Sequence, residues 1–332
     1  MKSFTVNQTK KYEVVIDNGW ESFSKTKKFF RKVMIITDKT VASLYLKEVA
    51  ELFDGKVSSF VIPAGERSKN INNYRKIIKK LYDENFSRGD LIVALGGGVI
   101  GDLAGFVAAT FMRGVCFYQI PTTIVSAIDS SVGGKTAIDI DEYKNAVGVF
   151  YAPSLVYANL NLLKSLPKRE AENGYGELIK YSFLSKDITA QDGVTEDVVY
   201  NCLKYKSLIV SEDEFDNGVR RLLNLGHTVG HAIESASNYS LPHGGCVYNG
   251  LFSAVRVSAK FYGFSDEKKQ RLLNYLESFN LGEKVDFDKD VLFERIKHDK
   301  KTDGDYINFV CIYDVGDCRV EKIPLNTLRG LL

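Results

Sequence analysis

The sequence predicts an α/β protein in two parts, a parallel-sheet domain over residues 1–165 followed by a mainly α-helical domain over residues 166–332. Three observations carry that expectation. Strand-like and helix-like segments alternate from Lys32 onward, a fully apolar strand runs into a cluster of glycines, and helical periodicity dominates from Ala171 to Phe279. At 332 residues the chain also exceeds what one hydrophobic core usually organises.

The first strand is Val33 to Asp38, followed by a helical stretch from Val41 to Phe53. A second strand, Val57 to Ile62, stops at Pro63. An amphipathic helix from Ile71 to Glu84 places Ile71, Tyr74, Ile77, Ile78 and Leu81 on one face. Leu91 to Leu95 is apolar throughout, as a parallel strand covered on both faces must be. Cys116 to Ile120 is a further strand. Strand, crossover helix, strand is the pattern of a parallel sheet. The texture changes at Leu166-Pro167. Helices are then expected around Lys206, at the histidine-rich stretch, at Val247 to Phe261 and at Lys268 to Phe279, and Tyr306 to Tyr313 reads as a hairpin strand or a helix edge.

Hydrophobic residues make up 45% of the chain and charged residues 26%, the composition of a soluble globular protein. Forty-four basic against 42 acidic side chains leave no broad field to hold nucleic acid or an anionic membrane, so any anion must be caught by a local pocket. The N-terminus lacks the apolar core of a signal peptide, and the longest apolar run is broken by Asp102, so a cytoplasmic location is expected. Five cysteines, an odd number without CxxC spacing, are expected to be reduced and structural.

After the strand LIVAL comes Gly96-Gly97-Gly98-Val99-Ile100-Gly101-Asp102, then an apolar helix. Glycines at a strand end let a backbone approach a pyrophosphate, and the helix N-terminus offers free N–H groups, so the first domain is Rossmann-like and Gly97, Gly98, Val99, Gly101 and Asp102 are candidate dinucleotide contacts. The alternative is a tight strand-to-helix turn without a ligand. Two more strand ends carry similar chemistry: Glu66 suits ribose hydroxyls and Lys69 a phosphate, while Thr122 and Thr123 offer hydroxyls. Asp38 suits an adenosine ribose, or simply caps the next helix. Three such strand ends point to one crevice.

Of four histidines, His227, His231 and His243 fall within the stretch Arg220 to His243. His227 and His231, at i and i+4, share a helix face. Such crowding makes a divalent metal site the sharp reading and three unrelated imidazoles the bland one; a carboxylate partner decides between them.

Asp129-Ser130-Ser131-Val132-Gly133-Gly134-Lys135-Thr136, then Lys144-Asn145, closely resemble the 3-dehydroquinate synthase family. The likeness extends through Gly96–Asp102, Pro121–Thr123, Gly176–Tyr181 and Asn224–Glu234, in family order over nearly the whole chain. It implies an active site in a cleft between the domains, bound NAD, one divalent metal (zinc or cobalt) and a homodimer. The reaction it implies converts 3-deoxy-D-arabino-heptulosonate 7-phosphate to 3-dehydroquinate and phosphate, by transient NAD oxidation, phosphate β-elimination, re-reduction, ring opening and intramolecular aldol closure.

Carried over by motif, the resemblance implies Glu177, His227 and His243 as metal ligands and turns His231 toward the substrate, against the spacing-based pair. It selects Arg113, Lys135, Lys144, Lys180, Lys206, Arg220 and Lys301 as the cations around a phosphate- and carboxylate-bearing substrate, with Asn145, Asn224 and His231 completing the pocket and Arg113 reaching across the dimer. Asp129, Lys135, Lys144 and the segment Leu162, Leu163, Lys164, Ser165 join the dinucleotide side. Two positions depart from the family pattern: Tyr143 replaces a common glycine, and Gly245 a common glutamate. The rival readings are another NAD- and metal-dependent sugar phosphate cyclase such as 2-deoxy-scyllo-inosose synthase, a glycerol-dehydrogenase-like oxidoreductase, and a dinucleotide-binding sensor without turnover.

Overall fold

The computed structural model describes residues 1–332 apart from 142, 239, 283, 284, 286 and 298–301. The chain divides into two compact units, Met1–Leu166 with Thr195–Ser211, and Pro167–Val194 with Glu212–Leu332. In chain order the first unit contains β1 (Lys2–Val6), β2 (Tyr12–Asp17), α1 (Phe23–Thr26), β3 (Lys32–Asp38), α2 (Lys39–Glu51), β4 (Lys56–Ile62), α3 (Ile71–Asp83), β5 (Leu91–Gly96), α4 (Gly98–Thr110), β6 (Cys116–Pro121), β7 (Lys135–Ile140), β8 (Tyr143–Phe150) and β9 (Leu155–Asn159). Seven of these strands form one sheet in the order β1-β2-β9-β6-β5-β3-β4. All its pairings are parallel except β1 with β2.

The period of two along each strand explains the layering. Met34, Ile36, Ile92 and Ala94 pack on one face with Leu103 and Val107 of α4. Val33, Ile35, Val93 and Leu95 pack on the other with Val49 of α2. β5 lies inside the sheet and is buried at all six residues, which is why its sequence shows no alternation. The register then aligns the carboxyl ends: Thr37 pairs with Leu95, Gly96 with Pro121 and Asp38 with Ile62. Asp38, the glycine turn, Thr122-Thr123 and the loop after Ile62 therefore share one edge of the sheet.

Next in the chain are α5 (Lys168–Leu184), α6 (Glu196–Glu212), α7 (His227–Ala236), α8 (His243–Tyr262), α9 (Asp266–Glu277), α10 (Lys289–Lys297), β10 (Thr302–Asp303), β11 (Tyr306–Asp314), β12 (Asp317–Pro324) and α11 (Leu325–Leu331). All lie in the second unit except α6, which belongs almost wholly to the first. There Met1 and Lys2 pair with Glu196 and Asp197, and Phe4 meets Tyr200 edge-on. A single boundary at residue 165 thus does not describe α6. The second unit is also less purely helical than its periodicity suggests: β10, β11 and β12 form an antiparallel sheet, so Tyr306 to Tyr313 is a strand. Strands β1, β2 and β9 and the β7–β8 hairpin were not expected. Their short runs lack the strand-helix alternation that exposed the others.

Among the described residues no helix is long and apolar enough to cross a membrane. All five cysteines are unpaired, as expected.

Candidate metal centre and dinucleotide edge

Within the second unit three helices approach one another at glycines. A Cβ on Gly176 of α5 would run into the carbonyl oxygen of Gly244 at the start of α8, and one on Gly244 into the carbonyl of Asn173. A Cβ on Gly250 of α8 would strike the carbonyl of Gly226, the left-handed residue (φ +76°) that starts α7. Each glycine contact has a candidate ligand beside it: Glu177 follows Gly176, His227 follows Gly226 and His243 precedes Gly244. Backbone contact thus brings three side chains distant in sequence to one point.

At that point Glu177 Oε1 lies 3.3 Å from His227 Nε2 and 3.1 Å from His243 Nε2. Lys180, one turn along α5, puts its Nζ 2.6 Å from Glu177 Oε2, and both side chains are almost fully buried. Burial alone would raise the Glu177 carboxyl, but Lys180 and His227 hold it well below the usual carboxylate range. Burial pushes His227 down to about 4, so its ring is neutral. His243 also loses solvation, yet its hydrogen bonds to Glu177 and Glu234 outweigh that and carry it up to about 9.

His227 Nδ1 lies 3.0 Å from the Leu225 carbonyl and His243 Nδ1 3.0 Å from Glu234 Oε2. Acceptors at both Nδ1 atoms leave the Nε2 lone pairs for a cation. One carboxylate and two such imidazoles make a donor set for a divalent cation with coordination positions to spare. His231 stands close as well: one nitrogen from each of His227, His231 and His243 lies within 4.8 Å of the others. It is the most exposed of the three. Arg220 and Asn224 belong to the turn Val219–Asn224 that leads into α7. Arg220 is buried, its backbone N–H donating to Asp213 Oδ2 (3.0 Å) and its Nη1 to the Glu214 carbonyl (2.5 Å).

In the first unit, Gly97 caps α4 at a point where a Cβ would come within 2.8 Å of Thr123 Cγ2. The Thr122 hydroxyl is buried and has no hydrogen-bond partner. A helix N-terminus reached through glycines and an orphaned hydroxyl at the same sheet edge are what a dinucleotide site supplies. Gly98, Val99 and Gly101 lie in the first turns of α4. Lys69 is buried among carboxylates, 2.6 Å from Glu66, 3.3 Å from Asp102 and 3.8 Å from Asp139. Burial works against its charge, but Asp102, Glu66 and Asp139 outweigh it and raise its pKa, and burial pushes Asp102 up to about 6. Asp38 Oδ1 caps α2 through the N–H groups of Thr40 and Val41, the simpler of its two readings.

Lys206 on α6 donates to the carbonyl (2.8 Å) and the carboxylate of Asp129, which sits in a π-helical turn, Ser126–Ser130. Lys135 is exposed at the start of β7, and Lys144 and Asn145 are the second and third residues of β8, with Asn145 at φ +52°. Arg113 (φ +62°) follows Met112 (φ +50°) in a strained, exposed turn. Leu162 is core, Leu163 half-buried and Lys164 exposed, while Ser165 Oγ bonds Tyr45. Lys301 lies outside the described residues. Gly245 is inside α8 with open space where a side chain would project, and Tyr143 is exposed, so neither departure alters the packing beside His243 or Lys144. Sequence reasoning missed Glu234 and Asp139. Glu234 follows His227 by seven residues, two turns along one helix face, a spacing that marks it; Asp139 has no such sign.

The family model for the N-terminal part of 3-dehydroquinate synthase matches residues 59–173, and that for the C-terminal part matches residues 174–302. The chain belongs to the 3-dehydroquinate synthase family. It is 38% identical over 309 residues to the 3-dehydroquinate synthase of Clostridium acetobutylicum, spanning 88% of this chain and 86% of that one. Identity to that of Shewanella sp. (strain MR-4) is also 38%, over 97% of this chain and 96% of that one. Among solved structures, a 2-deoxy-scyllo-inosose synthase complexed with carbaglucose-6-phosphate, NAD+ and Co2+ superposes with a TM-score of 0.89 at 22% identity over 99% of each chain. The 2-epi-5-epi-valiolone synthase of Streptomyces hygroscopicus with NAD+ and Zn2+ bound gives 0.81 at 20%, over 96% of this chain and 95% of that one. At these identities the superpositions speak to fold.

Proposed function

We propose that the protein is a 3-dehydroquinate synthase, converting 3-deoxy-D-arabino-heptulosonate 7-phosphate into 3-dehydroquinate and phosphate. The observation that carries the reading, in a chain of this family, is the meeting of Glu177 Oε1 with the Nε2 atoms of His227 and His243. Those three residues would hold the divalent cation, zinc or cobalt, which when bound supplies Lewis-acid polarisation of a substrate hydroxyl. The glycine turn with Thr122, Thr123, Glu66, Asp102, Lys144 and Leu162–Ser165 would hold NAD, which when bound takes a hydride from the substrate and later returns it.

The chain's own side chains do the rest. Lys180, whose Nζ meets Glu177 Oε2, keeps the ligand carboxylate ionised. Arg113, Lys135, Asn145, Lys206, Lys180, Arg220, Asn224 and His231 are the side chains that the family resemblance assigns to the substrate's phosphate and carboxylate, which they would hold by charge-assisted hydrogen bonds. Asp129 orients Lys206. Oxidation to a ketone acidifies the neighbouring carbon, phosphate leaves by β-elimination with its own oxygens taking that proton, and after re-reduction the opened ring closes by an aldol step. We read the enzyme as cytoplasmic and, from the family resemblance, as a homodimer acting on a small molecule.

Phosphate release from the heptulosonate phosphate tests the reading. It should require NAD, stop on adding a chelator, and proceed without net change at the NADH absorbance band. NADH that accumulates in step with substrate loss would favour an alcohol dehydrogenase instead.

A further inference from the structure

The two imidazoles that meet Glu177 are each held at their far nitrogen, but by different means. His227 Nδ1 faces the Leu225 carbonyl, an acceptor fixed by the backbone two residues away. The acceptor for His243 is a side chain from another helix: Glu234 Oε2 of α7 lies 3.0 Å from Nδ1 of His243, the first residue of α8. The two rings also differ in shelter. The His243 side chain is 34% exposed against 12% for His227, so packing restrains its rotamer less. Glu234 is itself largely sheltered, at 13%, which limits solvent screening of the bond it makes.

We propose that Glu234 is a positioning residue of the metal centre, holding the His243 ring in the orientation and tautomer that turn Nε2 toward Glu177 Oε1. The proposal rests on the reading of Glu177, His227 and His243 as a cation site and adds what that reading does not assign, a residue that acts through a ligand. A carboxylate on the far nitrogen accepts its proton, leaves the near nitrogen with a lone pair, and removes the ring-flipped arrangement in which Nδ1 would face the cation. Because Glu234 and His231 share a face of α7 with His227, the same helix supplies one ligand and the support of another.

The test is a chelator-competition titration of zinc on the full-length protein, with E234A, E234Q, E234D and H243A, each checked for native helix content by circular dichroism. E234A should bind zinc about 10–100-fold more weakly than wild type, the usual cost of losing an outer-shell partner. E234Q keeps an acceptor oxygen at the same reach and should recover most of that loss. E234D keeps the charge but withdraws it by one methylene and should bind more weakly than E234Q. Wild-type affinity in E234A overturns the proposal, and so does an E234D tighter than E234Q, which would make charge rather than ring placement responsible. If wild type and H243A bind zinc equally, the cation-site reading itself fails, a result distinct from any pattern among the Glu234 variants.

Discussion

His227 and His243 are alike in chemistry and opposite in charge preference, and the difference is local. His227 is largely sheltered and neutral, whereas His243 lies between Glu177 and Glu234, which favour its protonated form. A cation takes only the neutral ring, so loading must displace a proton from His243. With its pKa near 9 in the cation-free protein, zinc affinity should rise by about tenfold per pH unit from neutrality to about 9 and then level off. Affinity flat across that range would contradict the assignment. The same shift makes the His243 contribution to stability of the cation-free protein complete below its ordinary pKa of 6.5 and lost as pH rises through about 9. One third of the ring meets solvent, so that contribution is small. Replacing His227 by Ala should abolish zinc binding and activity while leaving the circular dichroism spectrum unchanged, since a catalytic ion with three protein ligands does not hold the fold together. Unfolding of H227A at room temperature would point to a structural ion.

At the scale of elements, helix crossings at glycine place the ligands. Gly176→Ala should push α5 away from α8, withdraw Glu177 from the histidines and abolish zinc binding, because the added methyl meets backbone, which cannot rotate away. Gly245→Ala, one residue beyond Gly244 but facing open space, should bind zinc normally and raise stability by up to about 1 kcal/mol through helix propensity. Equal zinc affinity in the two variants, read in one titration, would mean that the glycine contacts do not place the site. These crossings also show where the sequence stopped being legible. The i, i+4 spacing of His227 and His231 is a local signal and it is realised on α7. Glu177 comes 50 residues earlier in a buried helix, where a carboxylate has no periodic signature, and only the family motif selected it. Spacing alone would have chosen His231, whose nitrogen does lie near the other two.

For the whole molecule, the parallel sheet was readable because β3, β4 and β5 each lead into a helix and β5 is apolar throughout. Strands β1 and β2 come before that rhythm begins, and the β7–β8 hairpin is exposed along β8, so neither shows the pattern that burial imposes. Three polar strand ends point to one crevice, and the register puts them on one edge of the sheet, with the end of β3 between those of β5 and β4. Lys69 was expected to meet a phosphate, whereas the structure surrounds it with Glu66, Asp102 and Asp139. We propose that Lys69 acts on NAD indirectly, by holding Glu66 and Asp102, both candidate dinucleotide contacts, in place. Lys69→Met should accordingly weaken NAD binding in a calorimetric titration and leave zinc affinity untouched; unchanged NAD affinity would remove Lys69 from the site.

The most direct measurement of the central claim is anomalous X-ray scattering at the zinc edge from crystals of the zinc-loaded protein. One peak is expected, about 2.0–2.2 Å from a Glu177 oxygen and from Nε2 of both His227 and His243, with no bond to His231. A peak coordinated by His227, His231 and His243 with Glu177 outside bonding distance would contradict it.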